Sequence, residues 1–155
     1  MTPHSLPDHP HPARRRWMAV LARADAAAIE TRLQACRDLP PYIRLRGPES
    51  GLVMVRGRAG GAGGPFNLGE MTVTRCTVRT DQGLVGHAYV PGRDARQAEL
   101  AAMVDALMQD PARADTLEAA VIAPLEAAQQ ARQATRTAKA AATKVQFFAM
   151  QTMRT

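Results

Sequence analysis

The stretch from Arg56 to Asp94 constrains the fold more than any other part of the chain. It opens on a glycine-rich loop, Gly57 to Gly64. In the run that follows, Met71, Val73, Arg75, Thr77 and Arg79 alternate with Thr72, Thr74, Cys76 and Val78. A period of two is the signature of a strand whose faces meet different surroundings. Asp81-Gln82-Gly83 supplies a hairpin turn, and Leu84 to Val90 reads as the return strand. Pro91 and Gly92 stop the sheet, because proline cannot donate to a ladder. Upstream, Tyr42 to Arg46 reads as a short strand and Gly47-Pro48 as a turn. Leu52 to Arg58 reads as a further strand with Arg56 and Arg58 on one face. The sum is a small antiparallel sheet of three to four strands.

Helical signals flank this sheet, so the fold class is α+β. Trp17, Val20, Leu21 and Ala24 recur at helical spacing from about Arg15, and Asp25 starts a second short helix that buries Ile29 and Leu33. The pair has the outline of a helix-turn-helix, but no second basic helix with base-reading residues follows. Asp94 with Gln97 three residues on forms a capping-box-like start for a helix burying Ala98, Ala101, Ala102, Leu107 and Met108. That helix ends near Asp110-Pro111. Another begins near Asp115 or Thr116, and Pro124 starts or kinks its continuation. Glu126 to Thr143 is rich in alanine and glutamine, with helix propensity but few large apolar side chains. The expected organisation is a disordered His/Pro-rich tail over residues 1–13, a single domain over residues 14–150 and a short tail over residues 151–155. A long C-terminal helical arm is expected from about residue 115.

A chain of 155 residues is one domain. At this length a fold buries roughly 68–70% of its unfolded surface without staples. Aromatics make up only 4%, and alanine supplies much of the apolar content. A thin core that gains stability from a partner is the expectation. No apolar run approaches the ~20 residues that span a bilayer. Arg23 and Asp25 interrupt Trp17–Leu21 too early for a signal peptide. The chain is therefore expected in the cytoplasm, with Cys36 and Cys76 as reduced thiols. The net charge is +6. After Glu126 there is no acid, while Arg132, Arg136, Lys139, Lys144 and Arg154 are all cationic. A basic end suits an anionic ligand, nucleic acid or an acidic partner surface, and equally a solvated helix. The scarcity of stacking aromatics argues against nucleic acid.

No catalytic set emerges. The glycine loop can offer backbone N–H groups to phosphate, with Arg56, Arg58, Gly60, Gly61 and Gly63 as the candidate contacts. It is neither a Walker A loop nor a dinucleotide fingerprint, since a strand follows it, and the alternative is a plain strand connection. Arg75 and Arg93 suit bidentate phosphate recognition, or an ion pair with Glu49 or Glu70. Asp94 reads as a cap rather than a base. His87 is alone on its strand, Cys76 lacks a base, and neither Ser5 nor Ser50 occupies an elbow motif. His4, His9 and His11 lack a metal-binding scaffold. In a chain poor in aromatics, Trp17, Phe66, Phe147 and Phe148 are the candidate partner contacts.

Several ordered blocks carry a family resemblance. Pro65 to Cys76 (PFNLGEMTVTRC), Gly86 to Val90 (GHAYV) and Gly92 to Asp94 (GRD) form its centre. Arg16 to Ala24, Gly51 to Arg58, Ala98 to Asp110, Ile122 to Leu125 and Val145 to Met150 extend it over roughly residues 14–150. Together they resemble the G-subunit family of the bacterial carbon–phosphorus lyase core complex, which acts in phosphonate breakdown. The resemblance implies an assembly with H, I and J subunits and ATPase-like partners. It also implies a share in the reaction of the G, H, I and L group, in which an alkylphosphonate displaces adenine from MgATP to give a ribose 1-phosphonate 5-triphosphate. The later radical step is implied to use an iron–sulfur cluster with S-adenosylmethionine on the J subunit, and two cysteines cannot hold such a cluster here. No cofactor is expected on this chain, and an accessory role follows.

Overall fold

The computed structural model describes residues 11–36, 38–58 and 63–143. The elements run α1 (Pro12–Ala22), α2 (Ala26–Leu33), β1 (Tyr42–Gly57), β2 (Phe66–Thr80), β3 (Val85–Pro91), α3 (Ala95–Leu107), α4 (Pro111–Leu117), a π turn (Glu118–Ile122) and α5 (Ala123–Ala142). The fold is α+β, with a three-stranded antiparallel sheet in the order β1-β2-β3. The expected tail over residues 1–13 is trimmed, since α1 begins at Pro12. Proline's missing N–H costs nothing in a first helical turn, where that donor has no partner anyway. Residues 1–10, with His4, His9 and Ser5, lie outside the described residues, as do Gly60, Gly61, Phe147, Phe148 and the expected tail over residues 151–155.

One organisational expectation changes. Tyr42–Arg46 and Leu52–Arg58 are not separate strands about a turn at Gly47-Pro48. They form one long strand, β1, which slips register between Arg44 and Arg46 and again between Arg46 and Glu49. Proline is tolerated there because β1 is an edge strand and a bulge frees the backbone from the ladder.

α3 is the centre of the domain. Every residue from Gln97 to Leu107 is buried, as for a helix covered on all sides. The sheet packs on one side of it through Cys76, Val78, Ala88 and Val90. α1, α2 and α4 with Leu117 cover the rest, and Val121, Ile122 and Leu125 extend the same core against α1 and α2. Its alanines set the distance. A Cβ at Gly86 of β3 would lie 2.0 Å from the Ala102 carbonyl oxygen and 2.5 Å from the Ala106 nitrogen, so strand and helix backbones nearly touch. The alanine content thus builds a close helix–sheet contact rather than simply thinning the core.

The helix ends follow from local chemistry. Asp94 caps α3, accepting the Gln97 N–H at 2.9 Å. Gln97 does not complete the capping box. Its side-chain amide donates to Leu21 O and Ala22 O at 3.3 and 3.2 Å, and Gln129 donates to Val20 O at 2.8 Å, so two distant amides satisfy the last carbonyls of α1. Asp25 stands at the start of α2 without a side-chain cap bond. α4 starts at Pro111, earlier than expected, because Asp110 accepts the Ala112 N–H. The π turn ends two residues before Pro124, where the missing N–H would interrupt an α-helical ladder. The root of the expected arm is part of the core, and only from Gln130 to Ala142 is every residue exposed.

Candidate functional site

Three of the domain's polar constellations bear on the candidate site residues. The first centres on Asp105, whose carboxylate is wholly buried. Arg14 grips it with two bonds of 3.1 and 2.7 Å, Trp17 Nε1 donates at 2.9 Å and the His87 backbone N–H at 2.8 Å. Hydrogen bonding to Asp105 raises the Arg14 pKa further above its ordinary value. α1, β3 and α3 are locked together at this point. Trp17 is thus half-buried and engaged inside the domain, and its indole N–H is not available to a partner. Outside this lock, His87 Nδ1 lies 3.2 Å from the Thr77 hydroxyl.

The second group lines an open cleft of about 610 Å³ between α2, α3 and the start of β1, with Leu33, Leu39, Pro41, Tyr42, Leu100 and Met103 in its wall. Arg96 at its rim bonds Glu30 at 2.5 Å. Beside it, Glu99 accepts from the Tyr42 hydroxyl and from Arg44 Nε, both at 2.8 Å. Burial pushes the Glu99 carboxyl up, but the bonds from Arg44 and Tyr42 and the charges of Arg44 and Arg96 outweigh it, and the net pKa is lowered. Burial and the Glu99 bond raise Tyr42. Every charged group here already has a partner.

The third group is the sheet's own arginines. Arg75 Nε bonds Glu49 at 2.7 Å across the β1–β2 pair, and Arg46 joins the same carboxylate. The ion-pair reading of Arg75 is the one the geometry shows. Arg56 faces Asn67 in the ladder, eight residues along β2 from Arg75. At about 3.3 Å per residue that separates them by roughly 26 Å, too far to share one phosphate. Arg58 follows Arg56 at the exposed hairpin tip, Gly63 is exposed on the far side of that loop, and Arg93 is exposed in the turn between β3 and α3. Arg56, Arg58 and Arg93 form no side-chain ion pair with another described residue. Phe66 is exposed at the base of the same loop.

No nucleophile is assembled among the described residues. Burial pushes the Cys76 thiol up, and its sulfur donates to the Arg46 carbonyl, so the reactive thiolate is disfavoured. No three His, Cys, Asp or Glu side chains among the described residues form a metal-ligand group. No described helix is long and apolar enough to cross a membrane. Sequence reasoning missed Asp105 and Glu99. The signal for Asp105 was an acid inside a run, Leu100–Leu107, that is otherwise apolar all round.

Two comparisons place the chain among known proteins. The family described as phosphonate metabolism protein PhnG matches residues 12–153. Over 140 residues the chain is 48% identical to the alpha-D-ribose 1-methylphosphonate 5-triphosphate synthase subunit PhnG of Rhizobium meliloti (strain 1021), spanning 88% of this chain and 87% of that protein. A match that runs from the first turn of α1 past the end of α5 embraces the Asp105 lock, the hairpin and the arm together, and the chain belongs to the PhnG family of phosphonate metabolism proteins.

Proposed function

We propose that this chain is a non-catalytic subunit of a ribose 1-methylphosphonate 5-triphosphate synthase, acting in the cytoplasm with H, I and L subunits and associating with the J subunit and ATPase-like subunits of a carbon–phosphorus lyase complex. The observation that carries this reading is the near full-length similarity to a synthase subunit. In the reaction, an alkylphosphonate oxygen attacks the ribose C1′ of MgATP and adenine leaves with the bonding pair. This chain's part is to order the nucleosidase-type I subunit. The arginines not engaged with described carboxylates, Arg56 and Arg58 at the hairpin tip and Arg93 near its base, are the candidates for neutralising the triphosphate or phosphonate at a shared interface. Arg75 is a weaker candidate, because Glu49 already holds it. MgATP, the iron–sulfur cluster and S-adenosylmethionine are assigned to the assembled complex and to the J subunit.

The test is reconstitution with methylphosphonate and MgATP, following adenine release. Release that requires this chain, with none from the isolated chain, supports the reading. Full release by the other subunits without it overturns the reading.

A further inference from the structure

Beyond its pairing with β3, the β1–β2 hairpin continues as a bare ribbon. The last β3 pair is Val73 with Pro91, whereas β1 and β2 stay paired from Leu52–Thr72 out to Gly57–Phe66. Six further residues of β1 at about 3.3 Å each carry the ribbon some 20 Å past the three-stranded sheet. A two-stranded hairpin is marginal by itself in water.

The ribbon nevertheless carries large apolar side chains in the open. Leu52 is 63% exposed, Met54 54%, Phe66 43%, Leu68 62% and Met71 43%. They do not share one face. The register sets Leu52 and Met54 on the face of Thr72 and Glu70, and Val53, Val55 and Met71 on the other. Leu68 lies over Gly57, where a Cβ would be 2.3 Å from its Cδ1. Large apolar side chains concentrated in the open on one short ribbon mark an interaction site. Apolar side chains on both faces of one ribbon call for a groove rather than a flat surface.

Charge selects the occupant. The chain carries +6 overall, and the ribbon ends on Arg56 and Arg58, with Glu70 the single acid between Leu52–Arg58 and Phe66–Thr72. A second copy would bring +6 against +6 and arginine tips against a cationic body. An acidic-rimmed groove reverses that sign.

Resting on the proposed subunit role, we infer that residues Leu52–Arg58 and Phe66–Met71 form a docking finger. It inserts into an apolar groove with an acidic rim on another protein subunit of the synthase assembly. Aliphatic and aromatic side chains on both faces supply the desolvated centre, and Arg56 and Arg58 engage the rim, which in the docked state leaves Arg93 as the arginine for a substrate anion.

The experiment co-expresses the full chain, tagged, with the other synthase subunits, and compares wild type with Leu52→Asp/Leu68→Asp and with Arg56→Glu/Arg58→Glu. The apolar variant should bind at least about tenfold more weakly, as truncating interface anchors does. The charge variant should bind more weakly and lose most of the salt dependence shown by wild type. Should the apolar variant fail to fold, a photocrosslinking residue in place of Leu68 alone replaces it, and a covalent adduct to another subunit is the expected result. Equal capture of wild type and the apolar variant, or no adduct from position 68, overturns the finger while leaving the subunit role intact. A wild-type chain that captures none of the subunits removes that role and the finger with it. Two further results overturn the choice of occupant. One is wild-type self-association in sedimentation that the apolar variant abolishes, and the other is binding to anionic lipid vesicles that it abolishes.

Discussion

Asp105 and Leu68 mark opposite ends of one polypeptide's chemistry. Around Asp105, a charge is fully buried and every donor facing it is satisfied by Arg14, Trp17 and the His87 backbone. Around Leu68, an apolar ribbon stands in solvent with polar and cationic neighbours. The body breaks the usual rule for charges and compensates locally. The ribbon breaks the usual rule for apolar residues, and nothing within the described residues compensates. Stability of the isolated chain explains the first region and leaves the second unexplained, so the residues of the ribbon are to be understood through assembly.

The sharpest way to break that contrast is to remove the buried acid. Asp105→Ala should cost about 3–5 kcal/mol, because Trp17 Nε1 and the His87 N–H lose their acceptor and Arg14 is left beside an apolar void. Asp105→Asn should recover little, since an amide NH₂ would face those same donors. Urea denaturation of the isolated chain measures both. A loss below about 1 kcal/mol would mean that water replaces the carboxylate and that the lock is not structural.

Next in size is Gly86→Ala, expected to cost about 1–3 kcal/mol, toward the upper end, by overpacking. The added Cβ meets the Ala102 oxygen and Ala106 nitrogen, which are backbone atoms and cannot rotate away. The strand must retreat from α3, and the His87 N–H bond to Asp105 one residue on should weaken with it. Gly86→Ala and Asp105→Ala are therefore expected to be less than additive in a double-mutant cycle.

These two positions show where sequence reasoning reaches and where it stops. The Asp81–Gly83 turn, the Asp94 cap and the stop at Pro91-Gly92 were legible because each is decided within a few residues. Asp105 was not, because its partners are 18 to 91 residues away and leave no local period. The same holds for Gln97 and Gln129, which cap α1 from other helices, and for Gly86, whose reason is the backbone of α3. Gly47-Pro48 misled in the other direction. Its composition is that of a turn, and only the register with β2 shows that a bulge carries the strand through it. Among the candidate site residues, the sequence placed Arg56 and Arg58 beside the glycine-rich connection, and both are exposed in the structure. For Arg75 it left a phosphate contact and an ion pair with Glu49 or Glu70 both open, and the pairing of β1 with β2 decides for Glu49.

Within the body, at the end of the β1–β2 pair away from the ribbon, Glu99 offers a pH-dependent test. Its carboxyl titrates below the usual range when folded. The stability it contributes is therefore complete above the ordinary carboxylate pKa and is lost as pH falls through the lowered folded range. Glu99→Gln should cost about 1 kcal/mol near neutrality, a modest figure because Arg44 is more than half exposed. The gap between variant and wild type should close on acidification. A gap that stays constant with pH would assign the role of Glu99 to packing.

The smallest effect is expected in the ribbon, and its smallness is the point. Leu52→Asp/Leu68→Asp should change the unfolding free energy of the isolated chain by no more than about 0.5 kcal/mol, since exposed side chains have little to lose. For a chain of this size that is a melting shift of only about 2 °C. The same pair is expected to weaken assembly about tenfold or more. A stabilising or neutral change in the free chain combined with lost assembly separates the two regions by function. The buried apolar residues of the body hold the fold, whereas those of the ribbon are held in reserve for another surface. A large loss of stability from this pair would instead show that the ribbon folds back onto the body in solution, and the contrast between the two regions would collapse.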